Sequence, residues 1–354
     1  MDILSALLTQ AVQNKASDVH LVPGLPPLFR THTRLAPADA TAPALTGEQT
    51  YQFVRQMVGE ARLAKLDSHR DLDFSTEVPG VGRFRVNAHY QRDTVALAFR
   101  AISTHVPTLR ELNLPPIVER FTELPRGLVL VTGQTGSGKS TTLAAMIQTM
   151  NMRDNHHVIT LEDPVEYQFI NNKCVIEQRE VGSDVPEFAS GLRHALRQDP
   201  DILLVGEMRD LETTSSAITA AETGHLVLST LHTQNASQTI ERVIDIYPAS
   251  QQNQIRAMLS NTLQVVISML LLPRCDRPGM APACEIMICT PAVRNCIREN
   301  RIHEIPNIIA TNRGIGMCTL DDSLRSLYLN GLISREEALG ASARPDSLDR
   351  ELVA

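Results

Sequence analysis

Apolar positions in the first hundred residues follow two spacings, one helical and one typical of strands. Apolar residues that recur at helical spacing between Asp2 and Asn14 predict a helix at the start of the chain. A second helix is predicted near Glu48 to Val58. Short runs rich in β-branched and aromatic residues predict strands at Val19 to Val22, Leu28 to Thr33, Asp71 to Val78, Arg83 to Tyr90 and Val95 to Ile102. Residues 1–105 are therefore predicted to form an α+β domain.

The pattern changes after a stretch that contains four prolines. This stretch, residues 106–126, is predicted to be an extended or turning linker. Beyond it, continuous apolar runs alternate with helical patterns, and the runs lie at Leu128 to Thr132, Val158 to Leu161, Ile202 to Val205 and Leu226 to Leu231. Such runs are typical of strands covered on both faces, so residues 127–290 are predicted to form an α/β domain with a parallel sheet. A helical region is predicted over 291–354.

Composition and charge exclude several classes of protein. The chain of 354 residues is 43% hydrophobic and 21% charged, as in ordinary globular proteins. Its net charge of -7 gives no overall positive field, so no nucleic-acid partner is expected. Six cysteines without zinc-site spacing, and a start without an export signal, indicate a cytoplasmic protein. The longest apolar run, Val265 to Leu272, is much shorter than the roughly 20 residues that span a bilayer, so only peripheral membrane contact is expected.

A glycine-rich loop between a predicted strand and a predicted helix carries the strongest chemical signal. It fits the phosphate-binding pattern G-x-x-x-x-G-K-[ST], with Gly133, Gln134, Thr135, Gly136, Ser137, Gly138, Lys139 and Ser140, and Thr141 opens the predicted helix. Glycines allow backbone N–H groups to surround a phosphate, and the helix N-terminus adds partial positive charge. Lys139 is predicted to reach the β- and γ-phosphates of ATP, and Ser140 is predicted to ligate Mg²⁺.

Carboxylates follow two of the predicted strands, at the sheet edge where ligands of parallel sheets bind. Glu207 follows the strand at 202–205 and is predicted to hold Mg²⁺ through water or to position the attacking water; the alternative is a simple loop carboxylate. Glu162, Asp163 and Glu166 end another strand, and their mutual repulsion favours a nearby cation. Glu166 is the candidate general base, and the alternative is a solvated turn.

Four other side chains have roles that the residues alone leave open. His225 and His232 bracket the predicted strand Leu226 to Leu231, and each is either a structural histidine or a sensor of the γ-phosphate. No nearby residues complete a zinc ligand set. Arg85 and Arg100 lie on predicted strands of the first domain. They are either partners in surface salt bridges or cations supplied to a phosphoryl-transfer site, which can belong to another subunit.

The order of these motifs resembles that of the secretion and pilus ATPases. The similarity extends from Ala16 to Glu336 and rests on the phosphate loop and on the boxes at 162–166, 206–210 and 224–233. It implies a PAS-like N-terminal domain, a RecA-like ATPase domain and a homohexameric ring with ATP bound between neighbouring subunits. It further implies that Arg85 and Arg100 are arginine fingers, that Glu166 is the general base and that Glu207 is a carboxylate of the Mg²⁺ site.

Two features resemble the retraction branch of this family. The region from Cys275 to Cys289 lacks the cysteine pairs of the zinc insertion usual in assembly relatives. Residues 292–299 are similar to the retraction signature A-I-R-N-L-I-R-E, although on their own they predict an amphipathic helix docked on the core. The resemblance implies a pilus retraction motor at the cytoplasmic face of the inner membrane, acting on a platform protein of the pilus machinery. An assembly or secretion ATPase, a small-molecule kinase and a nucleotide-gated scaffold are the alternatives.

Overall fold

The computed structural model describes residues 3–31, 34–39, 41–102 and 105–353. Asp2 and Thr33, at the ends of two predicted elements, lie outside these residues. The described chain divides into two compact units. The first contains the residues up to His105 together with Pro164–Gln168, and the second contains Val106–Asp163 and the residues from Phe169 onward.

The first unit is an antiparallel sheet with helices on one face. Its elements in chain order are α1 (Ile3–Gln13), β1 (Asp18–Leu21), β2 (Leu28–Thr31), β3 (Arg34–Pro37), α2 (Gly47–Met57), α3 (Glu60–His69), β4 (Asp71–Val78), β5 (Gly82–Gln91) and β6 (Thr94–Ala101). The strands are ordered β3-β2-β1-β6-β5-β4. Apolar side chains on alternate strand positions, such as Val19, Phe84 and Phe99, form the core with the helices, so the other face is polar.

The predicted helices and strands of this unit are confirmed within one or two residues. α2 begins where Thr46 and Gln49 form a reciprocal capping box, which fixes its first turn. The short strand β3 and the helix α3 were not predicted. All four residues of β3 are exposed, so its sequence carries no alternation of buried and exposed positions.

The second unit is built around a mainly parallel sheet. Its first elements are α4 (Ile117–Arg120), β7 (Gly127–Thr132), α5 (Lys139–Arg153), β8 (His157–Glu162), β9 (Val175–Glu180), α6 (Phe188–Ala195), β10 (Ile202–Val205), α7 (Leu211–Glu222) and β11 (Leu226–Leu231). Then follow α8 (Ala236–Asp245), α9 (Gln252–Thr262), β12 (Leu263–Pro273) and β13 (Met280–Ile288). The strand order is β13-β12-β7-β11-β10-β8-β9, in which β13 is antiparallel to β12.

Both faces of this sheet are covered, as the continuous apolar runs predict. Leu128 and Leu130 of β7 face one core cluster, and Val129 and Val131 face the other. Residues 106–126 do not form a free linker, because Leu109, Leu114, Val118 and Phe121 are buried in the second cluster. This segment is part of the second unit, and its prolines shape its turns rather than separate it from the sheet.

Helices complete the chain, as predicted from Pro291 onward. They are α10 (Pro291–Arg298), α11 (Ile305–Thr311), α12 (Leu320–Leu329), α13 (Arg335–Ala341) and α14 (Pro345–Val353). In α10, Val293, Cys296 and Ile297 are buried, whereas Ala292 is exposed. Among the described residues, no helix is both long enough and apolar enough to cross a membrane.

Candidate functional site

The phosphate loop joins the end of β7 to the start of α5. Gly133, Gly136 and Gly138 have positive φ angles of 144°, 80° and 92°. A Cβ atom at Gly133 would lie 2.4 Å from the carbonyl oxygen of Met269, so a larger residue cannot occupy this position without a shift of the backbone. At Gly136, no atom lies within 4 Å of the place where a Cβ would be built. The backbone of the loop is therefore tightly packed at Gly133 and open at Gly136.

Two side chains of the loop test whether it fits a phosphate. Lys139 is buried, and its Nζ donates to the carbonyl oxygens of Gly133 and Gln134, both at 2.9 Å. Ser137 is also buried, and its Oγ finds no hydrogen-bond partner among the described residues. A buried polar group without a partner costs about 1–3 kcal/mol. A bound phosphate would accept from this hydroxyl and from the ammonium group, so the residues present fit such a group.

Neighbouring strands bring Glu207 and His232 to the same sheet edge as the loop. β11 lies between β7 and β10, so His232 at the end of β11 is between the loop and Glu207. The Nε2 of His232 is 3.3 Å from the Oε2 of Glu207, and Nη2 of Arg209 is 2.7 Å from the same oxygen. Burial alone would raise the pKa of Glu207, but Arg209 and His232 outweigh that effect, so the pKa is lowered. Glu207 is an anion at neutral pH.

We expect the substitution Glu207→Gln to reduce stability in a pH-dependent way. Because the folded-state pKa of Glu207 is lowered, its ionised form stabilises the fold above the ordinary carboxyl range, and this contribution disappears as the pH falls through the lowered value. The loss at pH 7 should be about 1 kcal/mol or less, since Arg209 is 72% exposed. Thermal unfolding of both proteins between pH 7 and pH 3.5 measures it. The exposed Glu222→Gln is the control, and a constant difference across that range would contradict the expectation.

The acidic segment after β8 is divided between the two units. Glu162 ends β8, where its Oε1 accepts hydrogen bonds from Thr160 at 2.6 Å and Gln178 at 3.1 Å. Neutral donors therefore satisfy Oε1 of this carboxylate. Glu166 is exposed and belongs to Pro164–Gln168, the short segment that clusters with the first unit. The candidate base is thus in the same compact unit as Arg85 and Arg100.

The position of His225 requires a correction. The carbonyl oxygen of His225 accepts from the N–H of Gly127, the residue that begins β7, so His225 lies at the amino edge of the sheet. The phosphate loop lies at the opposite edge, about 20 Å away at the usual rise per strand residue. His225 therefore cannot contact the phosphate bound by the loop of its own chain. Its Nδ1 is 3.0 Å from the carbonyl oxygen of Ala220, and it lines a cavity of about 560 Å³.

Arg85 and Arg100 are direct neighbours on the polar face of the first sheet. Arg85 of β5 is opposite Arg100 of β6, and Arg100 is opposite Asp18 of β1. Nε of Arg100 donates to Oδ1 of Asp18 at 2.9 Å, while 70% of the Arg100 side chain remains exposed. Two like charges in opposed positions repel each other, so Asp18 offsets part of the cost of this pair.

Asp18 was not among the predicted site residues. Its burial would raise its pKa, but hydrogen bonds from Ser17 and Arg100 make the pKa lower than usual, so the carboxylate is charged at neutral pH. The contact joins residues 82 positions apart in the sequence. Its local signal, an aspartate at the first position of a short strand, does not distinguish it from ordinary strand residues.

A mainly parallel sheet with a phosphate loop at its carboxyl edge defines the chain as a P-loop protein. The family model described as Type II/IV secretion system protein matches residues 92–326, more than half of the chain. The chain belongs to this family.

Similar proteins share nearly the full length of the chain. The type IV pilus retractation ATPase PilT of Pseudomonas aeruginosa is 46% identical over 347 residues, which cover 98% of this chain and 100% of the relative. A twitching motility protein of Neisseria gonorrhoeae is 43% identical over 346 residues, which cover 98% of this chain and 92% of the relative. The crystal structure of the pilus retraction motor PilT with bound ADP has a TM-score of 0.91 and 42% identity, covering 99% of both chains. The structure of the Legionella pneumophila ATPase DotB has a TM-score of 0.83 and 29% identity, and the match covers 95% of this chain and 93% of DotB.

These similarities confirm the predicted fold class. The chain has an N-terminal α+β domain, a RecA-like ATPase domain and C-terminal helices, and it matches the PilT and DotB structures over at least 95% of its length.

Proposed function

We propose that this protein is a Mg²⁺-dependent ATPase that powers the retraction of type IV pili. The observation that carries the proposal is the phosphate loop beside the Glu207–His232 pair, in a chain 46% identical to a pilus retraction ATPase over 98% of its length. The carboxylate and the loop lie at the sheet edge where nucleotides bind in this class of fold. ATP hydrolysis is the reaction that this edge supports best.

The loop holds the nucleotide through its backbone N–H groups and the N-terminus of α5. Gly133 to Thr141 surround the phosphates, and Lys139 leaves its two carbonyl partners to reach the β- and γ-phosphates. Ser140, exposed in the first turn of α5, and the anionic Glu207 would hold Mg²⁺, Glu207 through water. Mg²⁺ supplies charge neutralisation at the phosphate oxygens.

Glu166 takes the proton of the attacking water, and His232 orients Glu207 while it senses the γ-phosphate. Arg85 and Arg100 neutralise charge that develops on the transferred phosphoryl group. We place these arginines in the active site of a neighbouring subunit, in a ring of six copies. Each ATP would then have its phosphate loop from one copy and its arginines from the next, which makes hydrolysis depend on the ring.

The motor acts at the cytoplasmic face of the inner membrane, on a platform protein of the pilus machinery. The relatives named for retraction and twitching support this role. His225 has no part in the chemistry of its own chain's loop, because it lies at the other sheet edge. An assembly or secretion ATPase has the same hydrolytic site, and the phenotype separates the two functions.

The test combines a biochemical and a cellular measurement. Purified protein should release phosphate from ATP in the presence of Mg²⁺ without any acceptor molecule, and deletion of its gene should give excess surface pili and no twitching. Loss of pili in the deletion strain would instead favour an assembly motor. Phosphate transfer to a small molecule would indicate a kinase, and nucleotide binding without turnover would indicate a scaffold.

A further inference from the structure

Glu285 is a carboxylate that the mechanism above does not use. It lies on β13, opposite Ser268 of β12, and Ser268 is opposite Thr132, the last residue of β7 before the phosphate loop. Opposed residues of neighbouring strands point to the same face, so these three side chains form a row at this end of the sheet. Thr132 donates to the Oγ of Ser268 at 2.9 Å.

The carboxylate of Glu285 holds the start of α8. Its Oε1 accepts from the backbone N–H of Ala236 at 2.8 Å, and Ala236 is the first residue of this helix. The first N–H groups of a helix have no partner inside the helix, and the N-terminus attracts negative charge. Asn235 caps a different N–H, that of Gln238, at 2.9 Å. Glu285 therefore satisfies a group that the capping residue leaves open.

Burial of Glu285 is unfavourable for a charged carboxylate. Burial raises its pKa, the hydrogen bond from Ala236 lowers it, and the charge of Asp321 raises it again, so the pKa remains higher than usual. A neutral side chain would avoid this cost. The presence of a carboxylate at this buried position thus needs an explanation beyond stability.

The turn held by this bond carries His232. Only the turn 232–235 separates the end of β11 from Ala236. The hydroxyl of Thr233 in this turn is 2.7 Å from the hydroxyl of Thr239 in α8, and this contact fixes the turn to the helix. The bond from Ala236 to Glu285 in turn fixes α8 to the sheet, and His232 contacts Glu207 from this turn.

We propose that Glu285 is a positioning residue that holds the His232 turn against the sheet and so sets the contact between His232 and Glu207. Its hydrogen bond ties the start of α8 to β13. The neighbouring strand β12 contacts the last residue before the phosphate loop, through the hydrogen bond between Ser268 and Thr132. The effect on ATP hydrolysis rests on the proposed function. The effect on His232 does not, because the contact with Glu207 exists without nucleotide.

Kinetics of three variants provide the first test. Glu285→Ala should lower kcat for ATP hydrolysis about tenfold with little change in KM, as is usual when a group that orients a catalytic side chain is removed. Glu285→Gln keeps an acceptor oxygen for Ala236 and should retain most of the activity. Glu241→Ala, on the exposed side of α8, is the control and should hydrolyse ATP like the wild type. Equal losses in the Ala and Gln variants, or no loss in either, would overturn the proposal.

The double variant with His232→Ala separates positioning from a general loss of stability. If Glu285 acts through His232, Glu285→Ala should not lower kcat further in the His232→Ala background. The melting temperature of each variant shows whether a loss of kcat comes from partial unfolding. Losses in kcat that multiply would show that Glu285 acts independently of His232, which overturns the proposal.

A chemical measurement tests whether Glu285 positions His232 even if the protein does not hydrolyse ATP. Diethylpyrocarbonate modifies histidine ring nitrogens, and mass spectrometry follows the peptide that contains His232. Glu285→Ala should raise the modification rate of His232 at pH 7 several-fold, since Nε2 is no longer held beside Glu207, while Glu241→Ala should not. An unchanged rate in Glu285→Ala contradicts the positioning role. Absence of ATP hydrolysis in the wild type contradicts only the proposed function.

Discussion

Replacement of Lys139 by alanine is expected to lower the rate of ATP hydrolysis about 10²–10³-fold. Lys139 is the one lysine of the phosphate loop, and its Nζ is positioned by two carbonyl oxygens of the loop itself. With a nucleotide bound, its charge would lie at the β- and γ-phosphates, where negative charge develops as the bond breaks. No other cation of the loop could replace it, because the remaining residues of 133–141 are uncharged.

Phosphate release and binding of a fluorescent ATP analogue would measure the effect of Lys139→Ala. The matched control is Lys173→Ala, which removes an exposed lysine of the same unit whose Nζ also donates to a backbone carbonyl, that of Arg153. Lys173→Ala should retain wild-type turnover. If Lys139→Ala hydrolysed ATP at more than a tenth of the wild-type rate while it remained folded, the loop would not be the catalytic phosphate site.

The sequence was most informative where short-range chemistry determines structure. The pattern of glycines, Lys139 and Ser140 requires a strand before it and a helix after it, and β7 and α5 occupy those places. The four parallel strands predicted for the second unit are confirmed because side chains buried on both faces give continuous apolar runs. Element types of this kind depend on residues close together in the chain.

Features that depend on tertiary contacts were missed or misplaced. His225 and His232 are near each other in sequence, but a complete strand separates them, so they lie at opposite sheet edges. β12 and β13 were not predicted as strands, because a buried apolar run alone does not distinguish a strand from a helix. The prolines of residues 106–126 predict a linker, yet the leucines of this segment pack in the core. The Asp18–Arg100 contact arises only when β1 pairs with β6.

Mixing of inactive variants is expected to restore ATP hydrolysis if neighbouring subunits share each site. Arg85→Ala and Arg100→Ala should each lower kcat about 10³-fold alone, as removal of an arginine supplied in trans does in other phosphoryl-transfer enzymes. Each variant keeps an intact phosphate loop, and Lys139→Ala keeps intact arginines. In a head-to-tail ring assembled from equal amounts of an arginine variant and Lys139→Ala, about a quarter of the interfaces would combine an intact phosphate loop with an intact arginine.

The activity of such a mixture discriminates between a shared site and a site within one chain. An equal mixture of Arg85→Ala and Lys139→Ala should recover up to about a quarter of the wild-type rate if interfaces act independently, and less if they act in concert. The mixture of Arg34→Ala with Lys139→Ala is the control, since Arg34 is an exposed arginine of the same sheet and its variant should be active alone. The recovery should require subunit exchange and fail when each ring is cross-linked beforehand. A mixture no more active than the sum of its parts after exchange, with mixed rings demonstrated by mass, would mean that the arginines act on the nucleotide of their own chain.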